Sequence, residues 1–174
     1  MINETTDMAR IEPGKPQIRR RQVFVPDIFR SSLHRMKALL DGRPLKVHIQ
    51  EDISPVDADP DMIGLAIRQL LGNAVKYSPP ETTIGISASQ AGDTVTIAVR
   101  DHGPGIPPDE LDAIFERFYR GKQTQESVAG TGMGLSIARD IVRAHDGKLR
   151  VQNTPEGGAQ FSFTLPAFHE VQLS

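Results

Sequence analysis

Gly130, Gly132 and Gly134 stand at alternate positions just before a run with helical periodicity, Leu135, Ile137, Ala138, Ile141 and Val142. Glycines placed there let backbone N–H groups come close to a phosphate with no Cβ in the way, and the following helix N-terminus adds a favourable dipole. A plain flexible loop would have the same composition. Gln69, Asn73 and Lys76 fall at i, i+4 and i+7 of a second helical run and so share a face, with Tyr77 next to Lys76. An amide oxygen can ligate Mg²⁺ and an ammonium can neutralise phosphate charge; a solvated polar face would look the same. Asp101 ends an alternating run and opens a Gly-Pro loop. A carboxylate there can accept a hydrogen bond from an exocyclic amine, or can merely start the loop. Three such features in one chain are more persuasive together than any one alone.

Two familiar nucleotide motifs are excluded. A P-loop needs Gly-Lys followed by Ser or Thr, whereas the three Gly-Lys pairs here are followed by Pro16, Gln123 and Leu149. A dinucleotide fingerprint needs a strand directly before its glycines, and Gly121 to Ala129 is polar.

The elements that must position these residues can be read from periodicity and breakers. Gln22 to Val25 suits a short strand. Pro26-Asp27 opens a helix carrying Ile28, Phe29, Leu33, Met36 and Leu40, with Gly42 as its stop. Leu45, Val47 and Ile49 alternate with polar residues, which predicts a half-buried strand. Asp59-Pro60 caps a helix that keeps its apolar spacing from Met62 to Val75 and ends near Ser78-Pro79-Pro80. Ile84, Ile86 and Ala88, then Val95, Ile97 and Val99, form a hairpin around Ala91-Gly92-Asp93. Residues 101–108 are too rich in Gly and Pro for regular structure. Asp109 to Phe118 reads as a short helix, residues 119–131 as a mobile loop. Lys148 to Val151 and Phe161 to Leu165 close the pattern as a last hairpin. Mixed helices and antiparallel hairpins define an α+β class, a sheet with helices packed on one face.

The 174 residues fit one domain, and 38% hydrophobic content is ordinary for a soluble fold. Net charge is −2, which gives no reason to expect nucleic acid or an acidic membrane as a partner. The absence of Cys excludes disulfides, thiolate metal sites and a cysteine nucleophile. No apolar run approaches a membrane-spanning length. Residues 1–20 are polar with several breakers and carry the first two of the Arg19-Arg20-Arg21 run; they read as a helix remnant and linker ahead of a domain at 21–174.

In order, the segments 69–78 (Gln-Leu-Leu-Gly-Asn-Ala-Val-Lys-Tyr-Ser), 101–106 (Asp-His-Gly-Pro-Gly-Ile), 114–120 (Ile-Phe-Glu-Arg-Phe-Tyr-Arg) and 130–135 (Gly-Thr-Gly-Met-Gly-Leu) resemble the N, G1, F and G2 boxes of sensor histidine kinases, and Gly157-Gly158 resembles their last glycine element. The resemblance covers about residues 22–166. It implies a two-layer α/β sandwich with a mixed, largely antiparallel sheet, binding ATP and Mg²⁺. Asn73 is then a catalytic and metal-binding residue, with Gln69 as a second metal-side amide. Lys76 and Arg120 serve the phosphates and Tyr77 packs near adenine. Asp101 bonds the adenine amine, with Gly103, Gly105 and Ile106 lining the base. Gly130, Thr131, Gly132, Met133, Gly134 and Leu135 shape the lid end, and Phe115 and Phe118 anchor the lid.

Gln69 departs from the family's usual Asn. In the related ATPases this position is a Glu acting as base toward water; Gln takes no proton at neutral pH, which favours phosphoryl transfer over hydrolysis. The phosphoacceptor is expected on a histidine-bearing dimerisation domain outside this chain, because none of the five His has the family's acceptor context. His145 reads as structural and His102 at most as an indirect participant. A response regulator receiver domain follows downstream. The resemblance implies a cytoplasmic catalytic piece of a kinase that can itself be membrane-anchored, without nucleic-acid or membrane contacts of its own. The rival expectations are a non-catalytic nucleotide-binding module and a serine kinase of the anti-sigma type.

Overall fold

The computed structural model describes residues 11–12, 15–119 and 134–170. Five strands form the main sheet: β4 (Leu45–Ile49), β6 (Ile84–Ala91), β7 (Thr94–Arg100), β8 (Leu149–Asn153) and β9 (Ala159–Pro166), in the order β4-β6-β7-β9-β8. β4 runs parallel to β6 and the other pairs are antiparallel. Two small ribbons accompany it, β1 (Ile11–Glu12) with β2 (Lys15–Pro16), and β3 (Arg21–Val23) with β5 (Val56–Ala58).

One face of the sheet is apolar because its strands keep strict alternation. Ile84, Ile86 and Ala88, Val95, Ile97 and Val99, and Phe161, Phe163 and Leu165 are all buried. The helices α1 (Val25–Arg35), α3 (Pro60–Tyr77) and α4 (Gly134–Ala144) supply the other layer of this core, with the single turn α2 (Lys37–Leu40) beside them. Each fully buried branched or aromatic side chain contributes roughly 1.5–3 kcal/mol on transfer from water. α3 is central: Ile63, Leu65, Ala66, Ile67, Leu70 and Leu71 have no exposed surface. The two-layer α+β architecture with helices on one face is therefore the observed one.

Three local expectations are corrected. The helix from Pro26 breaks at Met36, so Leu40 belongs to a separate turn before Gly42, whose φ of +74° takes the chain out. Leu45 and Val47 are exposed, not half-buried, because β4 is the outermost strand and pairs only with β6. Residues 109–118 are not a helix but two 3-10 turns, Pro108–Glu110 and Ala113–Phe115. The reason is that Glu110 and Phe115, five residues apart, both turn inward, and α-helical spacing would put them on different faces.

The N-terminus of α3 is a junction for three segments. Asp59 Oδ1 accepts from the N–H groups of Asp61 (3.1 Å) and Met62 (3.2 Å), which is a side-chain N-cap. Its Oδ2 accepts from Arg19 N at 2.8 Å, and its own N–H donates to His145 Nε2 at 3.0 Å. His145 Nδ1–H donates to Ile141 O at 2.7 Å, so the fully buried ring is neutral with both nitrogens engaged. Arg20 adds bonds to Ala144 O (3.0 Å) and Asp146 Oδ2 (2.8 Å). His145 is thus structural.

Burial, with the Arg20 charge adding to it, holds His145 below the ordinary histidine value of 6.5, against its bond to Ile141 and the Asp59 and Asp57 charges. Below 6.5 the unfolded chain binds a proton that the folded ring refuses. Stability is therefore full above about pH 6.5 and falls as pH drops below it. Denaturation series between about pH 7.5 and pH 5.5 should show a steeper loss in the wild type than in His145→Asn. Parallel slopes for the two proteins would overturn the neutral assignment.

Candidate nucleotide-binding site

The C-terminal half of α3 forms one wall of a cleft. Asn73 and Tyr77 line it together with Asp101, Gly105 and Ile106, while Leu135 of α4, Ile114, Ala159 and Phe161 give it an apolar floor. The cavity is about 110 Å³, many times the ~10–15 Å³ that one water needs. Phe115 stands behind Phe161 in an edge-to-face contact, ring centres 6.3 Å apart.

Asp101 follows the last residue of β7, and its backbone N–H bonds to Ala159 O. Its side chain is only 4% exposed. Oδ1 accepts from Gly103 N (2.9 Å) and Ala159 N (3.2 Å), so Oδ2 is left toward the cleft with no described protein donor. Burial raises the Asp101 pKa, opposed by those two N–H groups and by His102. A buried carboxylate with one oxygen satisfied and one spare fits a ligand amine, which would supply the missing donor.

Glycine is required around that carboxylate. A Cβ on Gly103 would stand 2.5 Å from Tyr77 O, and one on Gly158, at φ +94°, would stand 2.1 Å from Asp101 O. The loop after Asp101 can lie this close to α3 and to the last hairpin only because both positions lack a side chain. Gly105 has φ +77° and faces Asn153. Asn153 then clamps the loop from the sheet: its Oδ1 accepts from Ile106 N (2.8 Å) and its Nδ2 donates to Ile106 O (2.7 Å).

α3 is held at the cleft end by Arg43, whose guanidinium donates to Val75 O (3.0 Å), Ser78 O (3.0 Å) and Pro79 O (3.2 Å). Val75 O is one of the carbonyls that the end of the helix leaves without an intrahelical partner, and a cation suits that end of the dipole. Ser78 Oγ accepts from His102 N, while His102 Nδ1 bonds Thr83 O at 2.8 Å, so His102 braces the loop from outside the cleft.

The structure brings Asn73, Tyr77, Asp101, Gly105, Ile106 and Leu135 to one cleft, with Gly103 in its wall. Lys76 is exposed, on the same helix but outside the cleft lining. Gln69 sits one turn before Asn73 and faces the first residue of α4: its Oε1 lies 2.7 Å from where a Gly134 Cβ would be. Arg120, Gly130, Thr131, Gly132 and Met133, with the expected lid, lie outside the described residues. Phe115 is buried and Phe118 is 69% exposed. Arg117 pairs with Asp140 of α4 at 3.2 Å. Among the described residues no group of three or more His, Cys, Asp or Glu could hold a metal ion, so a hard cation here would depend on amide and ligand oxygens. No described helix is long and apolar enough to cross a membrane.

Sequence reasoning missed Glu110, Asn153 and Arg43. Glu110 is 6% exposed, lines the cleft and shares a side-chain hydrogen bond with Tyr119. The Pro107-Pro108 pair before it signals a stop to regular structure and could have pointed to an inward turn.

The fold is a two-layer sandwich with a buried carboxylate at the end of a sheet strand and an amide on the facing helix, both lining one cleft. The chain belongs to the histidine kinase-, DNA gyrase B- and HSP90-like ATPase family, whose model matches residues 58–169. It is similar to the sensor protein KdpD of Escherichia coli, 35% identical over 166 residues that make up 95% of this chain and 18% of that protein. It is also similar to a solved structure of the mycobacterial sensor histidine kinase MprB, with 30% identity, a TM-score of 0.75, and coverage of 87% of this chain and 100% of that one. Full-length ShkA, solved in complex with AMPPNP, shares the fold at 24% identity and a TM-score of 0.80 over 97% of this chain and 35% of that one. The chain spans 18% of the length of KdpD of Escherichia coli and 43% of that of the adaptive-response sensory kinase SasA of Gloeothece citriformis, to which it is 37% identical.

Proposed function

We propose that this chain is the catalytic ATP-binding domain of a two-component sensor histidine kinase, with residues 21–174 as the catalytic unit and 1–20 as the segment leading into it. The observation that carries the reading is the spare Oδ2 of buried Asp101, set among Gly103, Gly105 and Gly158 in a cleft walled by Asn73 and Tyr77. Asp101 accepts the 6-amino proton of adenine and so selects it over guanine. Ile106, Leu135 and Phe161 exclude water from the base, and Tyr77 packs beside it. Asn73 offers its side-chain oxygen to Mg²⁺, and Gln69 stands a turn away as a second amide. A Mg²⁺ held there would supply positive charge to the phosphate oxygens. Lys76 and Arg120 provide the cationic side of the phosphates, and the segment from Gly130 to Gly134 their N–H donors.

No described side chain in the cleft is placed as a base for water at the Gln69 position, and Gln69 itself takes no proton. This favours transfer over hydrolysis, and the likeness to sensor histidine kinases supports a histidine on a dimerisation domain as the acceptor, from which the phosphoryl group passes to a response regulator receiver domain. Catalysis is then mostly orientation and charge stabilisation.

Incubating the chain with γ-labelled Mg-ATP and a histidine-bearing dimerisation domain should give an acid-labile, base-stable label on that domain. Binding of ATP with no label at all would leave a pure nucleotide-binding module, and an acid-stable label would indicate serine transfer; either overturns the proposal.

A further inference from the structure

β4 is an outermost strand of the main sheet and pairs on one side only, with β6. The direction of its backbone groups follows from that parallel ladder. Pro44 O accepts from Ile84 N, and Gln50 N donates to Ala88 O, so the even positions turn their backbone groups to β6. By strand alternation Lys46 and His48 do the same, while Leu45, Val47 and Ile49 turn their N–H and C=O groups to the open edge. Among the described residues no strand pairs with them there. Such an edge is a template for a further strand.

The side chains of the same three residues form an apolar row. In the register with β6, Leu45, Val47 and Ile49 stand opposite Ile84, Ile86 and Ala88 and share their face of the sheet. The β6 residues are buried under the helices, whereas Leu45 is 37% and Val47 45% exposed. The core-facing side of the sheet thus runs on past the helix layer for one strand. The opposite edge strand, β8, differs: its first residue, Leu149, is buried, and the Asn153 amide at its end is held by Ile106.

We propose that β4 is a self-association edge, on which a second copy of this chain adds its own β4 antiparallel about a two-fold axis at Val47. The proposal rests on this edge and not on the ATP-binding reading. The occupant follows from the order of the residues. Leu-Lys-Val-His-Ile has the same apolar-polar alternation in both directions, so the strand is its own complement when reversed. With Val47 facing Val47 of the other copy, Leu45 faces Ile49. All three outward residues then meet as hydrogen-bonded pairs that exchange both backbone bonds, with apolar side chains opposite each other on one face. Each Lys46 lies beside His48 of the other copy and not beside the other lysine. The neighbouring registers are poorer: one sets Lys46 against Lys46, the other sets Leu45 against Glu51. The two-fold also closes the association at a dimer, because each copy's open edge is used up.

Amide hydrogen exchange of the full chain, read residue by residue beside sedimentation velocity, tests this. One strand pair makes an interface of the weak class, below ~1,200 Å², so the chain is followed from about 20 µM to about 1 mM. The Lys46 and His48 amides, held by β6, should exchange slowly throughout. The Leu45, Val47 and Ile49 amides should exchange freely in dilute solution and slow as concentration rises, in step with a shift from monomer to dimer. Val47→Lys sets two cations face to face on the axis. It should weaken dimerisation about tenfold while the Lys46 and His48 amides stay protected. Leu45, Val47 and Ile49 amides that stay fast at the highest concentration, or that are slow already in the dilute monomer, would overturn the proposal. So would a dimer that Val47→Lys leaves unchanged, which puts the contact elsewhere. Growth past the dimer would overturn it too, since that indicates head-to-tail pairing of β4 with β8.

Discussion

Asp101→Asn should weaken ATP binding about a hundredfold and leave the unliganded domain at least as stable as the wild type. The first effect follows from which oxygen is already used. Oδ1 is bonded to the N–H groups of Gly103 and Ala159, so the Asn must keep its carbonyl there. Its NH₂ then replaces Oδ2 on the cleft side and meets the adenine amine donor to donor. Losing a charge-assisted hydrogen bond costs roughly 1.5–3 kcal/mol, or about 10- to 150-fold, before the new repulsion is counted. A 6-oxo purine accepts where adenine donates. The variant should therefore lose its preference for ATP and gain on GTP.

The second effect follows from the sign of the pKa shift. Burial raises the folded pKa of Asp101 above its ordinary value of 3.8. A carboxyl whose folded pKa is raised contributes stability at low pH that is lost as pH rises through the folded value. At neutral pH the buried charge is thus a cost to the unliganded domain, and a neutral amide of the same shape removes it. Calorimetric titration with ATP and GTP, beside a thermal melt of the unliganded variant, separates the two effects. Unchanged ATP affinity would remove Asp101 from the base site whatever the melt shows.

What the sequence made legible was local and periodic. Asp59-Pro60 and the apolar spacing after it specify α3 because the cap and the buried face act over one element. Ala91-Gly92-Asp93 specifies the β6–β7 hairpin because a two-residue turn with Gly92 at φ +57° fixes its register. The base side of the cleft was legible for a different reason: Gly103 and Gly105 have steric duties that no other residue can perform at those distances.

What stayed hidden depends on partners far along the chain. β5 is three residues long and exists through its pairing with β3, which no local pattern announces. Arg43 closes the end of α3 from more than 30 residues away, and Asn153 clamps Ile106 across 47. The alternation of Leu45 and Val47 specifies a strand but not its exposure, because periodicity reports a face and not whether anything covers it. In 109–118 the need to turn both Glu110 and Phe115 inward overrode a helical composition.

Asn73→Ala should remove the Mg²⁺ dependence of ATP binding while sparing the fold. Position 73 lies within the 18 residues of α3, between the buried Leu70, Leu71 and Ala74, and is itself only partly buried. Ala is the better helix former, so α3 should keep its length. Asn73 contributes an oxygen to a hard cation that also binds phosphate. In the wild type, ATP with Mg²⁺ should therefore bind more tightly than ATP with a chelator present; in the variant the two affinities should converge. Transfer to histidine should fall by about 10²–10³, the size of effect seen when one preorganised electrostatic group is lost from such a site. Gln69→Ala provides the contrast that keeps the assignment sharp. Gln69 Oε1 is turned to the start of α4 and outside the cleft lining, so its loss should disturb the Mg²⁺-dependent term less than the loss of Asn73. A variant of Asn73 that kept the full Mg²⁺ effect, with Gln69→Ala abolishing it, would move the metal one turn along α3 and reassign the phosphate end of the cleft.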